Sequence, residues 1–291
     1  MTGTVLVAGG TGRLGTRVVL ALAARGVQVR VLTRELPRAA HLAGPRVAAV
    51  AGDVRDPASA AAAVAGVQVV VSAVHGFAGP GRVTPASVDR DGNINLIEAA
   101  RTAGAEMVLL SVVGAAPDSP MELFRMKHAA ETALAASVVP GTIVRATAFA
   151  ELWIELLRRT AGRSKRPLVF GRGQNPINFV SVSDVAALVE RVVIGDETRG
   201  QSLEIGGPAN LTFDELATMV AANPDRAVTP RHVPRAALHA MAATVGKVRP
   251  ELGRQARAAL AMDRQDMTFA GGGARARYAD LPCTAVADLL R

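Results

Sequence analysis

The chain has 291 residues, 49% of them hydrophobic, enough for one large α/β core with or without a smaller appended lobe. Its single cysteine, Cys283, excludes internal disulfides and a cysteine zinc site and fits a reducing cytosol. A formal charge of +8 raises nucleic acid as a partner, but arginines are scattered from Arg13 to Arg291, lysines occur only at 127, 165 and 247, and aromatics make up 3%; platforms for base stacking are scarce, and a basic solvated surface is expected instead.

Thr4-Val5-Leu6-Val7-Ala8 reads as a first strand, because no basic n-region or cleavage pattern marks it as a signal peptide. A helix over Arg13 to Ala24 follows, then strands at Gln28 to Thr33, Val47 to Ala51, Val67 to Ser72, Met107 to Val112 and Thr142 to Ala146. Ala58 to Val64 and Ser87 to Ala103 have helix-forming composition, with Gly104 placed for a left-handed helix end. The longest apolar stretch, Ala60 to Val74, is broken by Gly66 and Gln68 and predicts a helix and a strand, not a membrane span.

Strands apolar on both faces and alternating with helices predict a Rossmann-type, doubly wound parallel sheet. A Pro/Gly/Arg-rich stretch, Gly162 to Pro176, interrupts the alternation. The expected division is a dinucleotide-binding domain over 1–150, completed by about 177–206, and a smaller, mainly helical substrate lobe over 151–291. Within the latter, Ser202 to Ile205 reads as a last sheet strand, Thr212 with Glu215 as a capping box, and His232 to Met262 as helical. Arg158, Arg159, Arg163, Lys165 and Arg166 form a basic cluster able to face an anionic ligand.

Between the first strand and its helix lies Gly9-Gly10-Thr11-Gly12-Arg13-Leu14-Gly15. Glycines at 9, 12 and 15 suit a tight turn, an approach of backbone amides to pyrophosphate, and close helix–strand packing, respectively. The second strand ends in Thr33-Arg34, where an NAD-binding chain would carry a carboxylate for the ribose 2′-hydroxyl. An arginine there pairs with a 2′-phosphate, so NADP(H) is the expected cofactor, with Arg13 and Arg38 as secondary contacts. Asp53 after the third strand either meets the adenine amino group or forms a turn; Val54 and Ser72 complete the expected cofactor set.

Taken in order, these residues resemble the atypical branch of the short-chain dehydrogenase/reductase superfamily, the NmrA-like and NAD(P)H-binding proteins that include quinone reductases. The likeness runs through Gly9 to Gly15, Gly52-Asp53, Asp91-Gly92-Asn93, Ser111, Lys127 with Glu131, Arg145 to Phe149, Asn178 to Ala186 and Gly207-Pro208. The resemblance implies a Tyr-x-x-x-Lys proton relay, but Leu123 stands four residues before Lys127, and the only tyrosine, Tyr278, is followed four places later by Pro282. The relay is therefore absent.

Lys127 either hydrogen-bonds the nicotinamide ribose, as the resemblance implies, or acts as general acid. Ser111 either orients a substrate carbonyl or caps its strand. His75, just past the fourth strand, is a third catalytic candidate, with a loop histidine as the alternative; His128 is a further titratable group nearby. Phe149 and Trp153 either wall a substrate pocket or pack helix on sheet, and Ser183 or Asp184 is placed to cap a helix.

The expected function is NADPH-dependent hydride transfer to a small apolar carbonyl, enone or quinone; the alternative is an NADP(H)-sensing regulator without turnover. An epimerase or dehydratase is disfavoured by the missing tyrosine. The chain is expected to be cytoplasmic, monomeric or homodimeric, with a small-molecule substrate and with neither a metal, a nucleic acid nor a membrane as partner.

Overall fold

A computed structural model describes residues 3–162, 166–195, 198–221 and 229–291. The first half alternates as its sequence pattern dictates: β1 (Thr4–Ala8), α1 (Arg13–Ala24), β2 (Gln28–Thr33), β3 (Val47–Ala51), α2 (Pro57–Val64), β4 (Val69–Ser72), α3 (Asp91–Ala103), β5 (Glu106–Val112), α4 (Glu122–Ala136) and β6 (Gly141–Ala146). There follow β7 (Ala148–Phe149), α5 (Ala150–Ala161), β8 (Leu168–Phe170), β9 (Pro176–Val180), α6 (Val182–Ile194) and β10 (Ser202–Ile205). The remainder comprises β11 (Asn210–Thr212), α7 (Phe213–Ala221), β12 (Arg231–Val233), α8 (Arg235–Ala243), α9 (Val245–Val248), α10 (Pro250–Met262) and α11 (Gly273–Arg277).

The chain forms two compact units. The first comprises residues 1–146, 182–205 and 273–281, the second 147–181, 206–272 and 282–291. In the first unit seven strands make one sheet in the order β10-β6-β5-β4-β1-β2-β3, every adjacent pair parallel. This is the expected doubly wound sheet, and its strand order reverses between β1 and β4.

Alternate side chains of the central strands feed two separate layers. Leu6, Ala8, Val70, Met107 and Leu109 share one core with Ala60, Leu96, Ala100, Ala130 and Leu134 of α2, α3 and α4. On the opposite face α1 and α6 lie side by side, tied at their rims by Arg17 Nε donating to Ser183 Oγ at 3.0 Å and Arg25 Nε to Glu190 Oε1 at 2.6 Å. Burial on both faces explains why these strands read as continuous apolar runs.

Two expectations shift in detail. The helix expected over Ser87 to Ala103 is a short π-helical segment, Pro85–Arg90, running into α3. Thr84 caps it through a reciprocal pair with Ser87, and Gly104 closes α3 at φ 66°. Asp184 sits fully buried in the first turn of α6 and accepts from Arg275 of α11 at 2.8 Å, so a short C-terminal segment belongs to the first unit.

The second unit holds β11-β9-β7 in one small sheet and β12-β8 in another; these short strands carry too few residues to show a period. The capping box is present: Thr212 Oγ1 accepts from Glu215 N at 3.1 Å, and Glu215 Oε2 from Thr212 N at 2.7 Å. His232 to Met262 is helical from Arg235 onward. Of the basic cluster, Arg163 and Lys165 lie outside the described residues; Arg159 faces Glu155 at 4.0 Å and Arg166 Nε donates to Thr229 O at 2.9 Å. Among the described residues no helix is long and apolar enough to cross a membrane, and no group of three or more His, Cys, Asp or Glu is arranged to hold a metal ion.

Candidate functional site

The first βα turn sits at the end of β1, where the strand order reverses; open α/β sheets bind ligands at such points. Gly9 has φ 80°, and a Cβ there would stand 2.6 Å from the Ala73 carbonyl oxygen at the end of β4. A Cβ at Gly15 would stand 2.2 Å from Gly9 O, so α1 meets the turn backbone to backbone. Gly12 is exposed and forms the N-cap of α1 without a side-chain cap or an acidic residue in the first turn.

The opening of α1 is therefore a set of amides carrying partial positive charge with no competing carboxylate, as an anionic diphosphate requires. The residues present fit a dinucleotide. Leu14 is buried, so its amide and not its side chain can serve a ligand, and Thr11 is half-buried.

Arg34 follows β2, is exposed, and makes no hydrogen bond or ion pair among the described residues. Arg38 is exposed nearby in sequence. Asp53, after β3, is gripped by Arg55: Nη2 reaches Oδ2 at 2.6 Å, Nε lies 3.0 Å from Oδ1, and the Arg55 amide also donates to Oδ1 at 3.0 Å. This pairing holds the carboxyl below its ordinary range against the opposing effect of burial, and the charge of Arg34 adds to the lowering. Asp53 is thus both turn former and anion, already partnered. Val54 is buried, and its carbonyl takes the Asn95 amide at 2.9 Å.

At the ends of β4 and β5 lies a buried polar network. Ser72 Oγ donates to Asn93 Oδ1 at 2.5 Å, and Asn93 Nδ2 to Asp89 O at 2.7 Å; the Ser72 hydroxyl is spent internally, and the residue is fully buried between β1 and β5. Lys127 is 4% exposed. Its Nζ donates to Leu110 O at 2.9 Å and Val74 O at 3.1 Å, and lies 3.0 Å from Asp89 Oδ1, an electrostatic contact without hydrogen-bond geometry.

Asp89 is fully buried and accepts the Gly76 amide on Oδ2 at 2.8 Å. Burial pushes its carboxyl up, but the Lys127 charge, His75 and the Gly76 amide together bring it below the ordinary value. An ammonium has three N–H bonds; two go to strand-end carbonyls, and the carboxylate stands beside the group. The geometry makes Lys127 a brace between β5, the loop after β4 and Asp89.

His75 is exposed, its Nδ1 3.7 Å from Asp89 Oδ1. Ser111 follows Leu110 in β5; its hydroxyl is buried and has no hydrogen-bond partner, and such groups ordinarily find one. Leu123 occupies the turn of α4 before Lys127. Tyr278 sits against Arg191 and Arg277, whose guanidinium carbons lie 5.2 and 5.4 Å from its ring centre. Glu131 is buried in a two-pronged pair with Arg145, at 2.6 and 2.9 Å, and binds α4 to β6. His128 is half-buried with Nδ1 unpartnered.

Phe149 and Trp153 belong to the second unit, where Trp153 meets Phe213 edge-on at 4.8 Å and Phe213 meets the fully buried Phe179 at 5.7 Å. Trp153 thus has a packing role there. Two side chains of this region lie outside the sequence expectations, Asp89 and Arg55. A signal existed for each: a buried lysine needs a counter-charge, and Asp53-x-Arg55 on a turn is a local ion pair in the making.

The model of the NmrA-like family matches residues 1–259. An NAD(P)H azoreductase of Xenophilus azovorans is 29% identical over 249 residues, covering 85% of this chain and 82% of that protein. A photosystem II assembly factor of Trieres chinensis is 27% identical over 218 residues, covering 74% and 67%. Among solved structures, the Escherichia coli NADPH-dependent quinone oxidoreductase complexed with NADPH superposes at TM-score 0.79 with 20% identity and 98% of each chain covered. The Citrobacter sp. triphenylmethane reductase complexed with NADP(H) gives 0.80, 21%, and 99% and 98%.

Proposed function

Because the chain belongs to the NmrA-like family, we propose that it is an NADPH-dependent oxidoreductase that reduces a small apolar carbonyl, enone or quinone. The observation that carries this reading is the uncapped, acid-free opening of α1 at the point where the strand order reverses. Relatives described as an azoreductase and a quinone oxidoreductase support the same class.

NADPH supplies the hydride when bound. The chain's own residues divide the remaining work. The amides opening α1 hold the diphosphate, and the exposed Arg34 takes the 2′-phosphate. Lys127 and Asp89 hold the ends of β4 and β5 in register, so that the unpartnered Ser111 hydroxyl is fixed where it can donate to an acceptor oxygen. His75 is the exposed titratable group of this edge and is assigned the proton. Phe149 is assigned to the substrate-binding lobe formed by the second unit. A quinone suits a site without the usual tyrosine, because the reduced anion is stabilised and its protonation does not require a tyrosine.

A second reading is a binding protein that senses NADP(H) without turnover. The absent tyrosine and the internally committed Lys127 favour it, and one relative is described as an assembly factor. NADPH oxidation measured with quinones, enones and azo dyes separates the two: turnover supports the reductase, whereas tight NADPH binding with no turnover across the panel supports the sensor. Arg34→Asp should weaken NADPH far more than NADH, and an unchanged preference overturns the cofactor assignment.

A further inference from the structure

Arg34 and Asp53 carry opposite charges and follow the paired ends of β2 and β3, where Thr33 lies beside Ala51 and the Gly52 amide donates to Thr33 O at 2.9 Å, yet Arg34 forms no ion pair among the described residues. What prevents it is visible beside them. Arg55 holds both carboxylate oxygens of Asp53, with Nη2 at 2.6 Å from Oδ2 and Nε at 3.0 and 3.1 Å from Oδ1 and Oδ2. Its backbone amide adds a fourth bond at 3.0 Å. Two-pronged pairs of this kind are geometrically selective and outcompete a single approaching cation.

We infer that Arg55 is a specificity-determining residue for the phosphorylated dinucleotide: by occupying Asp53 it leaves Arg34 open toward the 2′-phosphate and cancels a carboxylate that would repel it. This rests on the assignment of NADP(H) to the site. The Asp53 side chain is three-quarters buried, and the backbone amide of the residue donates to the Ser59 hydroxyl at 2.9 Å. Without Arg55, Arg34 at the neighbouring strand end is a cation for that carboxylate to draw on. The bare carboxylate then acts twice against a 2′-phosphate, withdrawing its partner and opposing its charge, and acts on NADH through neither route.

The test is calorimetric, with NADPH, NADH and 2′,5′-ADP as titrants and no turnover required. Arg55→Ala should reduce the preference for NADPH over NADH by about fivefold to tenfold, the scale of one uncompensated charge acting through a partly screened medium. Arg55→Ala combined with Asp53→Asn should restore the preference, and 2′,5′-ADP should follow NADPH in each variant. If Arg55→Ala keeps the wild-type preference while Arg34→Ala loses it, the role of Arg55 is refuted and the cofactor assignment stands. If Arg34→Ala also keeps it, both fall. Failure of the double variant to recover the preference overturns the route through Asp53. Raised salt should narrow the gap between wild type and Arg55→Ala.

Discussion

Replacing Lys127 with methionine keeps all but the last atom of the side chain's length and removes its charge, and the structure sets the scale of the consequence. The ammonium is 4% exposed and Asp89 fully buried, with 3.0 Å between them and two further bonds to strand-end carbonyls. Removing one partner of a buried pair leaves an uncompensated charge and costs about 3–5 kcal/mol; at about 2–4 °C per kcal/mol this lowers the melting temperature by roughly 10 °C. Adding Asp89→Asn removes the stranded charge and should recover more than half of the loss.

The pH dependence carries an independent signature. In the wild type the Asp89 carboxyl lies below its ordinary value when folded, so its stabilising contribution is complete above the unfolded carboxylate range and is lost as pH falls through the folded value. Without Lys127, burial dominates the same carboxyl, and stability should rise as pH falls toward its protonation. Melting curves followed by circular dichroism between pH 4.5 and 8 should show no contribution of Asp89 to the slope in the wild type and, in Lys127→Met, stability that rises toward low pH. Equal losses in the single and double variants, or parallel slopes, would refute the brace.

Three further outcomes are expected. Gly15→Ala places a Cβ 2.2 Å from Gly9 O, so α1 must move off the turn, and NADPH affinity measured by fluorescence should fall about tenfold or more. Ser111→Ala removes a buried hydroxyl with no partner, so stability should stay within about 1 kcal/mol of wild type while turnover falls about tenfold; a large loss of stability would show that the hydroxyl serves the fold. Tyr278→Phe should leave turnover unchanged, because its ring lies between Arg191 and Arg277; a tenfold loss in steady-state rate would reinstate a tyrosine relay.

The polar network was legible only in part. Lys127 was singled out because lysines are rare in this chain and because the residues around it resemble a known motif, yet neither fact says where an ammonium points. Asp89 lies in a π-helical segment whose sequence reads as ordinary helix, and its burial depends on β4, β5 and α4 converging from residues 69 to 136. Arg55 differs: its carboxylate partner stands only two residues away, so Asp53-x-Arg55 is legible as a local ion pair and says nothing by itself of a ligand.

Local chemistry determined the alternation of strands and helices, the glycine turn after β1 and the Thr212–Glu215 capping box, because apolar runs, glycine spacing and Thr-x-x-Glu each act within a few residues. Thr33-Arg34 likewise set the expectation of NADP(H) without help from distant parts of the chain. Folding alone decided that Lys127 is spent on Val74, Leu110 and Asp89, that the Ser111 hydroxyl is left unpartnered, and that Gly273–Leu281 joins the first unit. Those outcomes depend on which buried donors find acceptors across long separations, and that pairing exists only once the strand ends meet.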